Sequence, residues 1–484
     1  MYKHGVYTSE VPTSLVPPAN TSAGLTVVVG TAPIHLAKAP VAPNTATLCY
    51  NLSEATEQFG YSDDWEKYTL CEAMSSHFKA HSVAPLVLIN VLDNKEHIAA
   101  VENEELYFDA KLRVTLLEAG VLKDSIELTA GSTKFEALRD YVAAFTNDGE
   151  LIITIIEESD LAAAIAKKTQ VVAKYDKLAP EAITKKDIIG GIDVESGQPF
   201  GLECVDTVFP RTRLIPGQII APGYSTDVEV ATVMAAKTSN LNGHFSAMAL
   251  TDIDTAIIKK YTDAPAWKEK NNYVDPRQIV CWPKIALGSK QYHLSTQLAS
   301  LICKVDSIND DIPTENPSNK NLKMNAAVLK DGNEVLLGPT QANYLNGQGI
   351  VTTLNFIGGQ KAWGERTGAY PANTDPKDTF INIRRMFNWI TNQLVMTWWQ
   401  KIDTNTSRRM IESIIDSNNV WLNGLASRGY ILGGRVAFLR DENPTTDLLD
   451  GINRFHVYLA PPPPMRVMDF ILEYDPKYME TLFV

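Results

Sequence analysis

The chain has 484 residues, 45% hydrophobic and 21% charged, which is enough for two or three domains with full cores. Its net charge of −13 lacks the basic footprint of a nucleic-acid binder, and no run of about 18 apolar residues reads as a membrane span. The five cysteines (Cys49, Cys71, Cys204, Cys281 and Cys303) are odd in number, scattered and never spaced C-x-x-C. They exclude a disulfide framework or zinc knuckle and read as buried small hydrophobes. No secretory signal opens the chain, so a cytosol is the expected place of folding.

In chain order, GVYTSEVP is rich in Val, Tyr and Thr and reads as a strand that Pro12, Pro17 and Pro18 set apart from the body. A lone strand of this length has no stability of its own and needs a partner. LTVVVG (25–30) reads as a strand buried on both faces. LSEATEQFG reads as a helix with Ser53 as N-cap and Gly60 as stop. WEKYTLCEAMSSHFKAH carries Leu70, Met74 and Phe78 as an apolar helical stripe, and PLVLINVLD reads as a second buried strand. That strand–helix–strand order marks a parallel α/β core.

From about Asn94 to Leu202 the texture becomes richer in Glu, Lys and Ala. KLRVTLL, SIELTA and LIITIIEE read as strands. KFEALRDYVAAF and DLAAAIAKKTQVVAKY read as helices, and a Gly-rich linker closes what reads as an inserted α+β domain. The α/β pattern then resumes with PGQIIAPG, the helix DVEVATVMAAK and the strand HFSAMALTDID. A short helix is expected from about Asp254 to Thr262, stopping before Pro265, then the strand QIVCWP and the helix YHLSTQLASLICKV. Residues 306–320 read as loop and 338–368 as turn-rich. Two strong helices follow, one with Ile383, Phe387, Ile390 and Leu394 on a face, the next with Ile411, Ile414 or Ile415, Trp421 or Leu422, and Leu425. YILGGRVAFLR, RFHVYLA and RVMDFILEY read as strands, and Pro461–Pro464 form a stiff spacer before the last.

Motifs for chemistry are weak. His77 and His81 in HFKAH have zinc-ligand spacing, but Phe78 stands where a metalloprotease needs Glu, so a polar helix edge is the reading. GGQKAWGERTG lacks the Gly-Lys-Ser/Thr of a P-loop and reads as a structural turn. Asp252 and Asp254 end a predicted parallel strand, where ligands of open sheets bind, yet Asp also caps helices there. Arg384 and Arg385 read as salt-bridge partners. The lack of a nucleophile–base pair or acid pair moves weight toward a structural or assembly role.

Several stretches, taken in order, resemble the contractile tail sheath proteins of myophages and phage-tail-like bacteriocins. They are HGVYTSEVP…NTSAGLTVVVGTAP, NLSEATEQFG, LIPGQIIAPGY with ALTDID, GERTG…DTFINIRRMFNWI, and GYILGGRVAF…NRFHVYLAPPPPMRVMDFILEY. The resemblance implies no enzyme, no cofactor and no metal. It implies a mixed-sheet α/β core with helices on both faces, an inserted α+β domain and extended terminal strand arms. The expected division is a 1–22 arm, core 23–93, insert 94–202, core 203–464 and a 465–484 arm. Each arm is expected to complete a sheet of a neighbouring subunit, through Val6, Tyr7, Thr8 and Val11 at one end and Val467, Phe470, Leu472 and Tyr474 at the other. Arg366, Thr367, Asn382, Arg384 and Arg385 are expected to form a structural junction. The implied partners are further copies, an inner tail tube, baseplate and tail terminator proteins, with no nucleic acid and no membrane insertion. The implied setting is a virion tail assembled in bacterial cytoplasm. A tailocin or other bacterial contractile injection system is the alternative, and an α/β enzyme acting at Asp252 and Asp254 a second.

Overall fold

The computed structural model describes residues 23–146 and 149–483. Its centre is one eight-stranded sheet. The strands are β1 (Thr26–Gly30), β2 (Thr47–Cys49), β3 (Leu86–Asn90), β4 (Gln218–Ile220), β5 (Met248–Asp252), β6 (Gln278–Cys281), β7 (Ile350–Asn355) and β8 (Gln360–Trp363). They lie in the order β2-β3-β1-β4-β5-β6-β7-β8. The six inner strands run parallel, with Val28 of β1 opposite both Leu88 and Ile220, and the two outermost strands are antiparallel. The continuous apolar runs TVVVG and LVLIN are buried at every position, as a sheet covered on both sides requires.

The helices that pack here form where side-chain signals start and stop them. Helix α1 (Leu52–Phe59) is capped by the Asn51 side chain, which accepts from the Glu54 amide, and ends at Gly60 with φ 73°. The cap is thus two positions before the expected Ser53, because Asn51 holds the extended conformation an N-cap needs and the helix already begins at Leu52. Helix α2 (Thr69–Met74) continues as a π-helical stretch, Ser75–His81. Helices α3 (Val228–Thr238), α4 (Leu294–Ile308), α5 (Ile381–Trp398) and α6 (Arg408–Ser427) follow the expected runs. The expected helix at 254–262 is a series of turns instead. A helix spans Ala264–Lys270 with Pro265 inside its first turn, where proline's missing N–H costs nothing.

Residues 98–178 build two further sheets around a separate apolar cluster that includes Leu128, Phe135, Tyr141, Ile153, Leu161 and Tyr175. Both helices expected here need correction. In KFEALRDYVAAF, Leu138 has φ 66° and is exposed, and the segment splits into strands Thr133–Phe135 and Tyr141–Phe145. The second strand alternates buried Tyr141 and Ala143 with exposed Val142 and Ala144. In DLAAAIAKKTQVVAKY the helix stops at Ala166, Lys168 turns with φ 59°, and Val171–Leu178 is a strand burying Val171, Ala173 and Tyr175. Ile183, Ile188 and Leu202 pack into the main core rather than into this cluster.

A third cluster joins α5 and α6 through Met386, Trp389, Ile390, Leu422 and Leu425. Against α6 lies a two-stranded antiparallel sheet, Gly433–Ala437 with His456–Ala460. The last expected strand is absent. Residues 461–475 adopt no regular structure, and Pro476–Phe483 is a 3₁₀ helix.

Candidate assembly surfaces and the arm-root junction

The C-terminal segment carries the most exposed apolar surface. Val467, Phe470, Leu472 and Tyr474 are all exposed, Leu472 at 94%, and so are Met465, Met468 and Ile471. No residue from Met465 to Tyr474 hydrogen-bonds to another described residue. An exposed, strand-prone apolar segment without a backbone partner among the described residues has the character of a surface that another chain covers. The corresponding N-terminal residues, Val6, Tyr7, Thr8 and Val11, lie outside the described residues.

The two-stranded sheet offers an edge of the complementary kind. One edge is closed: the Asn419 side chain of α6 accepts from the Val436 amide at 2.7 Å and donates to the Val436 carbonyl at 3.4 Å, as a neighbouring strand would. The outer edge of His456–Ala460 pairs with no strand among the described residues.

All five junction residues gather around the start of α5. The Arg366 guanidinium lies over the Phe380 ring at 3.7 Å and the Tyr370 ring at 4.4 Å, and donates to Thr379 Oγ1 at 2.9 Å. Buried Thr367 donates from Oγ1 to the Asp378 carbonyl at 2.6 Å. Arg384 reaches Asp378 at 3.1 Å and Asn388 at 3.1 Å. Asn382 donates to the carbonyls of Thr314, at 3.1 Å, and Pro462, at 3.2 Å, and accepts from Asn316 at 3.3 Å. Arg385 pairs with both oxygens of Asp306, one at 2.9 Å, and donates to the Ala23 carbonyl at 3.3 Å. Arg385 and Asp306 are 3% and 1% exposed, so this ion pair is fully interior. Burial raises the Asp306 carboxyl above its usual range, and the guanidinium pulls against it. Both arginines are therefore salt-bridge partners, and both are buried. A cleft of about 320 Å³ borders the junction, lined by Asn316, Glu365, Arg366, Tyr370, Arg466 and Val467, so the tail's first residues form one of its walls.

The residues weighed for chemistry are structural in their contacts. Asp252 ends β5 and is buried. It accepts from the Ser295 amide at 3.0 Å and from the Ser295 hydroxyl, and it faces Ser225 Oγ at 3.3 Å. It therefore caps α4, a helix some forty residues further along the chain, and its burial raises its carboxyl above the usual range. Asp254 accepts from the Ala256 amide at 2.8 Å in a local turn. At the same sheet edge a cleft of about 700 Å³ contains Glu72 and His293, joined at 2.8 Å. Burial works to raise Glu72, but His293 and Lys284 outweigh it and hold the carboxyl below its usual range. Among the described residues, no group of three or more His, Cys, Asp or Glu is placed to hold a metal ion.

His77 and His81 do not form a polar surface edge. They are buried in a polar seam between the π-helical stretch and α4, where His77 meets Thr26 at 3.1 Å and Ser300 at 2.8 Å, and His81 meets Gln297 at 2.8 Å. Burial lowers His77 to about 3, and His81 and His35 to about 4. The five cysteines are free, four of them buried and Cys303 partly so.

The tail sheath protein of Burkholderia phage BcepMu is 27% identical over 498 aligned positions, covering 99% of this chain and 98% of that protein. No protein-family model matches the chain. Among solved structures, the sheath of an extracellular contractile injection system (PVC) in its contracted state matches with TM-score 0.57. The two are 13% identical, over 99% of each chain. The contracted helical sheath of the anti-feeding prophage matches with TM-score 0.54 and 15% identity, over 98% of each chain. The resemblance to tail sheath proteins seen in the sequence thus extends along nearly the whole chain, and the mixed-sheet fold is that of sheath subunits.

Proposed function

We propose that this chain is the structural subunit of a contractile tail sheath. It polymerises helically around an inner tube and contracts to drive that tube through a target envelope. The observation that carries the reading is the exposed apolar tail, Met465–Tyr474, without a partner among the described residues, on a chain similar to a phage sheath protein end to end. Such a strand is satisfied by adding to the edge of another copy, and the open His456–Ala460 edge is the acceptor of matching chemistry. A head-to-tail contact of that kind does not close on itself and builds a helix of subunits. The Tyr2–Val11 segment would act as a second strand of this type.

Contraction is then a rigid-body re-packing of subunits between two lattices, with the arms as tethers and no nucleotide required. Residues 23–93 and 203–464 make the body, and the 94–202 segment is read as an outward-facing insert. The inner tube, baseplate and tail terminator are the other partners, and the virion tail, assembled in the host cytoplasm, is the setting. The full-length phage relative favours a virion over a tailocin. A structural role without catalysis is supported by Asp252, whose contacts are those of a helix cap.

The test is sedimentation of the full chain beside a form ending at Pro464. Large polymers from the first and monomers from the second support tail-mediated assembly. Equal polymers from both refute it.

A further inference from the structure

Residues Asn382 and Arg385 lie three apart on α5 and so share one face of a single turn. Both are buried polar groups, and each ends on a backbone carbonyl at one end of the body. Asn382 donates to Pro462, where the proline spacer leads into the C-terminal arm. Arg385 donates to Ala23, the first described residue, where the N-terminal arm joins the body.

The fit around Ala23 and Gly24 is close on every side. A Cβ on Gly217 would stand 1.9 Å from the Ala23 carbonyl oxygen, and one on Gly24 would stand 3.1 Å from Asp306 Oδ2. The Ala23 carbonyl is thus seated between a glycine that leaves it room and a guanidinium that grips it. The guanidinium is in turn oriented by Asp306 at the end of α4. A buried ion pair contributes little net stability in general, because both charges lose water, so its value lies in fixing a geometry. Asn382 plays the same part at the other root, tied also to Thr314 and Asn316 in the loop that follows α4.

We infer that Asn382 and Arg385 together hold the roots of both terminal arms at a fixed separation, so that tension from one neighbour passes to the next through a single turn of α5. The inference rests on the sheath reading for its function but not for its geometry. As positioning residues, they make the two arms of one subunit a continuous strut.

Two variants separate the roots. Asn382→Ala releases the C-terminal one. The double variant Asp306→Asn with Arg385→Gln releases the N-terminal one without leaving a single charge buried. In the isolated protein, amide exchange at Leu25–Val28 is expected to rise roughly tenfold in the double variant, with exchange in β5 and β6 unchanged. In assembled tubes, both variants are expected to break into fragments several-fold shorter than the parent's under equal shear. Unchanged exchange together with unchanged fragment lengths, in folded variants, overturns the inference. If the double variant does not fold, Arg385→Lys keeps the charge and loses the two-pronged grip, and the same two outcomes decide. If the parent itself forms no tubes, the sheath reading fails, while the exchange measurement still decides whether the node exists.

Discussion

Replacing His77 by glutamine should flatten the acid sensitivity of this protein by a calculable amount. His77 is buried against Thr26 and Ser300, and its folded value of about 3 lies far below the 6.5 of an ordinary histidine. A depressed histidine refuses its proton in the folded state and accepts it when unfolded. The stability it contributes is therefore complete above pH 6.5 and is lost as pH falls from there toward 3. Between pH 7 and pH 5 the unfolded chain gains about 2 kcal/mol from each such histidine, while the folded one gains almost nothing. With His35 and His81 at about 4, the three together amount to roughly 5–6 kcal/mol over that interval. His77→Gln should remove about 2 kcal/mol of that loss. Urea unfolding of parent and variant at both pH values, followed by fluorescence, measures the difference directly. Identical losses in the two proteins would refute the reasoning, since they would mean that His77 takes up its proton without unfolding.

Other consequences are local. Gly217→Ala places a methyl group into the Ala23 carbonyl and should cost about 1–3 kcal/mol by urea unfolding, with faster amide exchange at Leu25–Val28. Asn419→Ala opens the closed edge of the two-stranded sheet and should cost about 1–2 kcal/mol, with Val436 losing its exchange protection. Arg366→Lys keeps the charge but not the planar face set over Phe380 and Tyr370, and should lower stability by about 1 kcal/mol in the same assay. Asp252→Asn should leave a folded protein whose loss of about 1–2 kcal/mol reports the weakened cap of α4.

The parts of the fold visible in the sequence are those set by neighbouring residues. TVVVG and LVLIN are apolar at every position and can only be buried strands, and the run INIRRMFNWI has a helix's period. The 98–178 segment misled because Phe135, Leu138, Tyr141 and Val142 have helical spacing. Yet Leu138 turns with a positive φ and Asp140 accepts from the Glu136 amide at 2.9 Å, which pins the turn between two strands. The junction was legible as a cluster but not as a mechanism. Asn382 and Arg385 are two of several polar residues that α5 buries, and their partners Pro462, Asp306 and Ala23 lie 80, 79 and 362 residues away. No periodicity encodes such pairings. Asn419 was silent for the same reason, since an asparagine on a helix gives no sign that it closes the edge of a distant strand.

The central claim is that the terminal arms join copies of this chain into a sheath. Electron microscopy of the purified protein, beside a form lacking residues 1–22, tests it most directly. Long hollow tubes from the full chain and single subunits from the shortened one are the predicted result. Compact particles of one size from both would contradict it.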